Sequence, residues 1–314
     1  MATPALEALL ADRAALDEAH GRARSLAEEW RHSPPYRWAM TALMGLDAAD
    51  ADQAAARATL LLADTAWVGA LLKPLVAALA QDPLAEPPFR VQRDALKLGA
   101  VLIDHPAMTI TASVLSATAL AELPAAATLV VPGKLSVVRY HRGSGHLLLW
   151  RTGPVAADFG AATASPCRPA SAVRLTDGLV RRIDGRTHAQ LIEPLSDIVT
   201  LTATIHAGAA PISRQYDRTS GRFLRAAALD DWPSRAELML AFLRHAGRSD
   251  AADAFDVASR DTAHFLRWAA MREWLALDAA AALPRLREMT GDPHPEVRAA
   301  ARTMLAKVMA PCPV

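Results

Sequence analysis

From residue 97 to residue 228 the sequence breaks into short runs of β-branched, aliphatic and aromatic residues, most of them closed by turn residues. The runs are VLIDHPAMTITASVL, divided at His105-Pro106, then TLVVPGKLSVVRY, HLLLWR, AVRL, LVRRID, HAQLI, DIVTLTATI, PISRQYD and RFLRAA. Between them stand Arg142-Gly143-Ser144-Gly145, Thr176-Asp177-Gly178, Gly185-Arg186-Thr187, Glu193-Pro194 and Arg218-Thr219-Ser220-Gly221. Strands of this length and spacing mark an antiparallel sandwich or barrel. An open stack of hairpins is marginal in water, so the expected outcome is about eight to ten strands closed into a jelly-roll-like body.

Helical texture brackets this region. Thr3 is placed to cap a first helix over 3–31, with Pro4 at its first position, and Leu6, Leu9, Leu10, Leu16 and Leu26 mark its apolar side. Gly21 is a potential break, and Ser33-Pro34-Pro35 ends the segment. Further helices are expected over 36–44, 49–62 and 65–81, followed by a proline-rich connector over 81–88. After the β-region, Ser234 and Glu237 have capping-box spacing, and Gly247 is a helix stop. More helices are expected over 249–257, 261–276, 279–289 and 294–309. The fold class is therefore α+β: an N-terminal helical domain (1–88), a central antiparallel β-domain (89–230) and a C-terminal helical domain (231–314).

Net charge is +1, so the totals predict no affinity for nucleic acid or for an anionic membrane. The distribution is uneven. Residues 1–89 carry 7 Lys/Arg against 12 Asp/Glu, whereas residues 90–230 carry 16 against 10. An acidic helical face docking on a basic β-region would account for that asymmetry. The longest apolar run, near 60–80, is interrupted by Asp64, Lys73 and Pro74 and does not read as a membrane span. Cys167 and Cys312 form neither a disulfide framework nor a zinc spacing, which suits a reducing compartment. With no basic-then-apolar leader after Met1, the cytoplasm is the expected location.

The stretch TGDPHPEVRAAARTML, residues 290–305, reads as turn, cap and packed helix, with Asp292 as cap and Pro293 as first residue. Val297, Ala300, Ala301 and Leu305 share one helical face, and Leu283, Leu286 and Met289 do the same on a shorter helix before it. Leu266-Arg267-Trp268-Ala269-Ala270 repeats as Val297-Arg298-Ala299-Ala300-Ala301 after 31 residues. The stretch over 262–309 resembles HEAT-like repeats, with their Leu-rich first helix, Asp-Pro turn and Val-Arg-x-Ala-Ala second helix. That resemblance implies a protein or peptide partner, with Arg267 and Arg298 as candidate contacts. Alternatively the two arginines bond backbone or carboxylates inside the stack and have no ligand.

The β-region holds two further sets of candidates. By strand count and turn texture it resembles the cupin group of jelly rolls, which implies a divalent metal such as iron, zinc or manganese. The paired cupin motif starts with His-x-His, which this chain lacks. His141 and His146 flank one turn and His188 follows another, and these are the candidate ligands. The second set is basic: Arg139, Arg142, Arg151, Arg181 and Arg214, with Tyr216. Guanidinium forks suit carboxylates and phosphates, so a small anionic ligand is the corresponding expectation. Pairing with the acidic N-terminal helices is the alternative. The seven tryptophans fall within apolar patterns and are expected mostly in the core, and Cys167 has no activating neighbour in sequence.

The chain has no glycine-rich dinucleotide motif, no Walker loop and no nucleophile elbow. The leading expectation is a binding or adaptor protein. The alternatives are a cupin-like metal-dependent oxygenase or isomerase and a sensor of a small anion. No catalytic residue is assigned.

Overall fold

The computed structural model describes residues 12–46, 50–82, 85–156 and 158–309. It is a mixed fold of helices and antiparallel sheet. Four helices come first: α1 Arg13–His32, α2 Pro34–Ala42, α3 Ala51–Ala63 and α4 Ala66–Gln81. The expected start at Thr3 and Pro4 lies outside the described residues. Asp12 caps α1 by accepting from the Ala14 and Ala15 amides, and Asp50 caps α3 in the same way. Gly21 sits inside α1 without breaking it, and Pro74 sits inside α4. No single helix among the described residues is long and apolar enough to cross a membrane. Only α3 and α4 taken together have that composition, and they are bent by 66°.

Twelve strands follow among the described residues, more than the sequence spacing suggested. They are β1 Val91–Arg93, β2 Lys97–His105, β3 Met108–Leu115, β4 Thr128–Val131, β5 Leu135–Arg142, β6 Gly145–Arg151, β7 Arg168–Leu175, β8 Val180–Asp184, β9 His188–Pro194, β10 Ile198–Ile205, β11 Ile212–Asp217 and β12 Phe223–Ala228. A short helix, α5 Ala117–Ala121, lies between β3 and β4. The strands form three sheets, ordered β1-β2-β3-β10-β5-β8, β12-β11-β4 and β7-β6-β9. The neighbouring pairs of the six-stranded sheet are all antiparallel.

Contacts divide the chain into two compact units, each discontinuous in sequence. The first contains residues up to 126, 134–151 and 169–209, and the second contains 127–133, 152–168 and residues from 210 on. The second thus joins β4, β11 and β12 to the helices that follow, across the expected boundary at residue 230.

Within the first unit, β5 explains why its sequence is apolar without interruption. Leu135 and Val137 join a core with Leu61, Leu62 and Leu71 of the helices. Val138 and Tyr140 join a second core with Leu147 and Leu175 of the three-stranded sheet. A strand buried on both faces loses the apolar–polar alternation of a half-exposed one. The turn between β5 and β6 is not the hairpin the sequence suggested. β5 pairs with β10 and β8, and β6 pairs with β9. The β5–β6 and β9–β10 segments therefore run side by side and bend together from one sheet into the other. Strands that switch sheets at a bend form the corners of sandwiches. Gly143 at the bend has φ +107, and a Cβ there would lie 2.3 Å from the Asp197 carbonyl oxygen.

The second unit continues with α6 Asp231–His245, a turn at Ser249–Ala251, α7 Ala252–Ala258, α8 His264–Leu277, α9 Ala279–Met289 and α10 Pro295–Met309. Two expected caps move. Asp230, not Ser234, caps α6 by accepting from the Trp232 amide. α10 begins at Pro295 rather than Pro293, because Asp292 first makes a turn by accepting from the His294 amide at 2.8 Å. Leu266, Ala270, Met271 and Trp274 of α8 pack with Leu286 and Met289 of α9 and with Val297 and Ala301 of α10. The alanines let the helices approach closely, as the apolar spacing required.

Candidate functional site

Asp230, Asp261 and Asp292 recur at intervals of 31 residues and precede α6, α8 and α10. Each accepts from the amide two residues on, at 2.9, 2.7 and 2.8 Å. The last two are followed by Arg267 and Arg298, which reach back to the same two carbonyls of their own segments. Arg267 donates to Asp261 O and Thr262 O at 2.9 and 3.1 Å. Arg298 donates to Asp292 O and Pro293 O. The sequence repeat is thus a repeat of hydrogen bonding. Arg267 also crosses to the following segment, donating from Nε and Nη2 to the two carboxylate oxygens of Asp292 at 2.9 and 2.7 Å. Burial acts to raise the Asp292 carboxyl, but the Arg267 bonds and the His294 amide outweigh it and hold it below its ordinary value.

Beside this pair lie two histidines. His264 opens α8, and His294 precedes α10. Their rings stack 3.7 Å apart and nearly parallel, at 2°. Burial, then the His294 ring and the Arg267 guanidinium, lower the affinity of His264 for a proton. His294 is buried. Its Nε2 lies 3.2 Å from the Phe159 carbonyl oxygen, and its Nδ1 has no hydrogen-bond partner. Glu296, in the first turn of α10, accepts from the Ala161 amide at 3.3 Å. Its carboxylate packs on Gly160, where a Cβ would come within 2.1 Å of Oε1. One ligand atom from each of His264, His294 and Glu296 lies within 4.8 Å of the others. His264, His294, Phe159 and Phe265 line a cleft of about 410 Å³.

α6 presents a different surface. Its inner side buries Leu240 against α8, yet Trp232, Leu238, Met239 and Phe242 are 64, 72, 60 and 63% exposed. Trp232 was expected in the core, as was Trp38, which is half exposed. A helix apolar on opposite sides is ordinarily enclosed on both.

The residues singled out in sequence are dispersed. Arg139, Arg142, Arg151 and Arg181 belong to the first unit, and Arg214 and Tyr216 to the second. Arg139 donates to Leu62 O and Ala63 O at 3.1 and 2.8 Å, capping the C-terminus of α3. Such cations favour the negative end of a helix. Arg142 pairs with Asp177 at 3.0 Å, and Arg182 on the opposite face of β8 pairs with Asp52 of α3. The excess of basic residues in the β-region thus serves, at these positions, its contact with the acidic helices and its own turns. Arg151 is exposed opposite His188, and the half-buried Arg181 lies near Tyr140, whose hydroxyl burial pushes up to about 12. Arg214, only 1% exposed, donates to Gly153 O at 2.8 Å and lies over the rings of Phe159 and Tyr216. Tyr216 is buried too, its hydroxyl accepting from Thr152 at 3.3 Å. Neither is placed to meet a ligand from solvent. The buried Arg267 is engaged by Asp292, so its expected role as a partner contact gives way to the alternative within the stack.

The metal implied by a cupin-like barrel finds no fitting set at the expected residues. His141 and His146 are exposed on strands that do not pair, and the His188 ring is engaged by Thr187 Oγ1 and the Asp184 carbonyl at 3.0 and 3.2 Å. Among the described residues none of the three joins a metal-competent cluster. The cluster that does exist was passed over in sequence, although the 31-residue repeat places His264 and His294 one register step apart at two helix starts.

No family description and no curated sequence matches the chain. Solved structures overlap parts of it. Ectoine synthase from P. lautus matches with a TM-score of 0.24 at 10% identity, covering 45% of this chain and 84% of its own. A cupin 2 conserved barrel domain protein from Rhodopseudomonas palustris matches with a TM-score of 0.24 at 12% identity, covering 47% and 78%. The coconut allergen cocosin matches with a TM-score of 0.26 at 11% identity, covering 41% and 34%. Each overlap takes in less than half of this chain, and no activity passes from any of these proteins to it.

Proposed function

We propose that this chain is a binding protein that engages a protein partner through the outer face of α6. The observation that carries the reading is the row of Trp232, Leu238, Met239 and Phe242, each at least 60% exposed on one helix. Large aromatic and sulfur-containing side chains dominate the centres of protein interfaces. In stacked helical arrays an end helix with an apolar outer face requires cover, since a soluble terminal repeat ordinarily carries a polar one. In this reading α6–α10 are HEAT-like helix pairs, supported by the repeated aspartate turns and arginine loops. The two sheets of the first unit are a jelly-roll-like body, supported by the paired strands that bend from one sheet to the other.

The test places a photoreactive benzoylphenylalanine at Leu238 in the full chain, in cells. A single adduct of defined mass is expected, and Phe242→Glu removes it. The same adduct from a probe at Leu195, which is 73% exposed on the first unit, overturns the reading, as does the absence of any adduct. Anion sensing is not carried forward, because Arg139, Arg142 and Arg214 already have partners within the fold.

A further inference from the structure

We propose that His264, His294 and Glu296 form a binding site for a divalent transition metal of the zinc or iron(II) class, at the mouth of the cleft they line. The site does not depend on the docking face of α6, and nothing in the sequence motifs assigned it.

His294 carries the first part of the argument. A carbonyl oxygen only accepts, so the 3.2 Å contact with Phe159 O places the ring proton on Nε2. Nδ1 is then a bare lone pair. It is buried and without a partner among the described residues. An unsatisfied buried polar atom costs about 1–3 kcal/mol. A metal ion relieves that cost, and an imidazole whose second nitrogen donates to a backbone carbonyl is the usual second-shell arrangement of a metal-ligating histidine.

Glu296 carries the second part. The Ala161 amide holds Oε1, and Gly160 supplies the space, since any β-carbon there would displace the carboxylate. Two short segments, 159–161 and 294–296, thus orient one imidazole and one carboxylate from opposite sides. His264 adds the third donor, stacked on the His294 ring and presented at the first residue of α8.

The three ligand atoms lie within 4.8 Å of one another. Ligands about 2.0–2.1 Å from a zinc ion stand roughly 3.3 Å apart, so closure takes side-chain movements of about an ångström. Arg267 is adjacent, but its charge is answered by Asp292. Two imidazoles and one carboxylate suit zinc and iron(II) over the all-oxygen sites of calcium or magnesium. Three protein ligands leave coordination positions open, and the cleft of about 410 Å³ gives a small molecule access to them.

The test uses the full chain, stripped with a chelator and titrated with Co2+ and then Zn2+. One saturable equivalent of Co2+ is expected, with visible absorption bands that Zn2+ abolishes. Glu296→Gln, at an exposed position, should weaken binding at least about tenfold. Gly160→Ala, which displaces the carboxylate without removing a ligand, should weaken it by about 10–100-fold. His264→Gln should remove the Co2+ bands, and His141→Gln should leave the titration unchanged. Absence of a saturable equivalent overturns the proposal, as does equally tight binding by the Glu296→Gln chain.

Discussion

Arg267 and Asp292, 25 residues apart, are joined by two hydrogen bonds of 2.9 and 2.7 Å, with side chains only 10 and 3% exposed. The pair locks the start of α8 to the turn before α10, and the candidate histidines sit on those two segments. Removing one partner of a buried ion pair leaves an uncompensated charge and costs about 3–5 kcal/mol. Arg267→Met should therefore lower the urea resistance of hydrogen-exchange protection in α8 and α10 by that order. Asp292→Ala should cost less in the Arg267→Met background than alone, because the two residues act as a unit. Additive losses would show that the pair is not coupled.

Cys167 is buried, and burial pushes its thiol up to about 11, with Arg214 offsetting part of the rise. At pH 8 the thiolate fraction is then on the order of one in a thousand, and alkylation requires thiolate. In a Cys312→Ser background, iodoacetamide should label the native chain slowly and the urea-unfolded chain rapidly. Rapid native labelling with a pH midpoint near 8.5 would contradict this environment.

Much of the secondary structure was legible because local pattern decides it. The face of Val297, Ala300, Ala301 and Leu305 predicted α10, and the turns at Gly143, Gly178 and Gly221 separated strands as expected. Sheet membership was not legible. Val131 and Leu135 are separated by only three residues, yet β4 and β5 lie in different sheets. Alternation along a strand fixes which side chains share a face and is silent on the partner strand. The candidate site was missed for a related reason. Five histidines in the β-region drew the metal expectation there, whereas the clustered ones are 30 residues apart in the helical repeat. That repeat was read for its Leu, Arg and Ala positions, which build the core. The residues at the helix starts, where a stack presents its ends, were left out.

At the bend between β5 and β6, Gly143 combines a left-handed φ of +107 with the Asp197 carbonyl oxygen 2.3 Å from where a Cβ would lie. A flexible side chain could yield to that approach, but a backbone carbonyl in a paired segment cannot. Backbone strain of this kind costs about 1–3 kcal/mol before the clash is added. Gly143→Ala should thus lower the melting temperature by several degrees or more, whereas an alanine at Gly21, which has open space, should not lower it.

Asp184 ends β8 and accepts from Arg186 Nε and Nη2, each at 2.8 Å. Those bonds hold its carboxyl below the ordinary value of 3.8, and burial opposes them without prevailing. The sign of the pH effect follows. Near pH 4 the unfolded chain binds a proton at this carboxyl more readily than the folded chain does, so acid favours unfolding. The stabilisation is present above 3.8 and is lost as pH falls through the depressed folded value. Both side chains are about a third exposed, so salt screens part of the interaction. Arg186→Gln should flatten the acid limb of stability against pH while leaving the neutral limb parallel to that of the parent. The flattening should shrink in 1 M salt. An acid limb unchanged by Arg186→Gln would mean that other carboxylates set the slope and that this pair is as weak as most surface ion pairs.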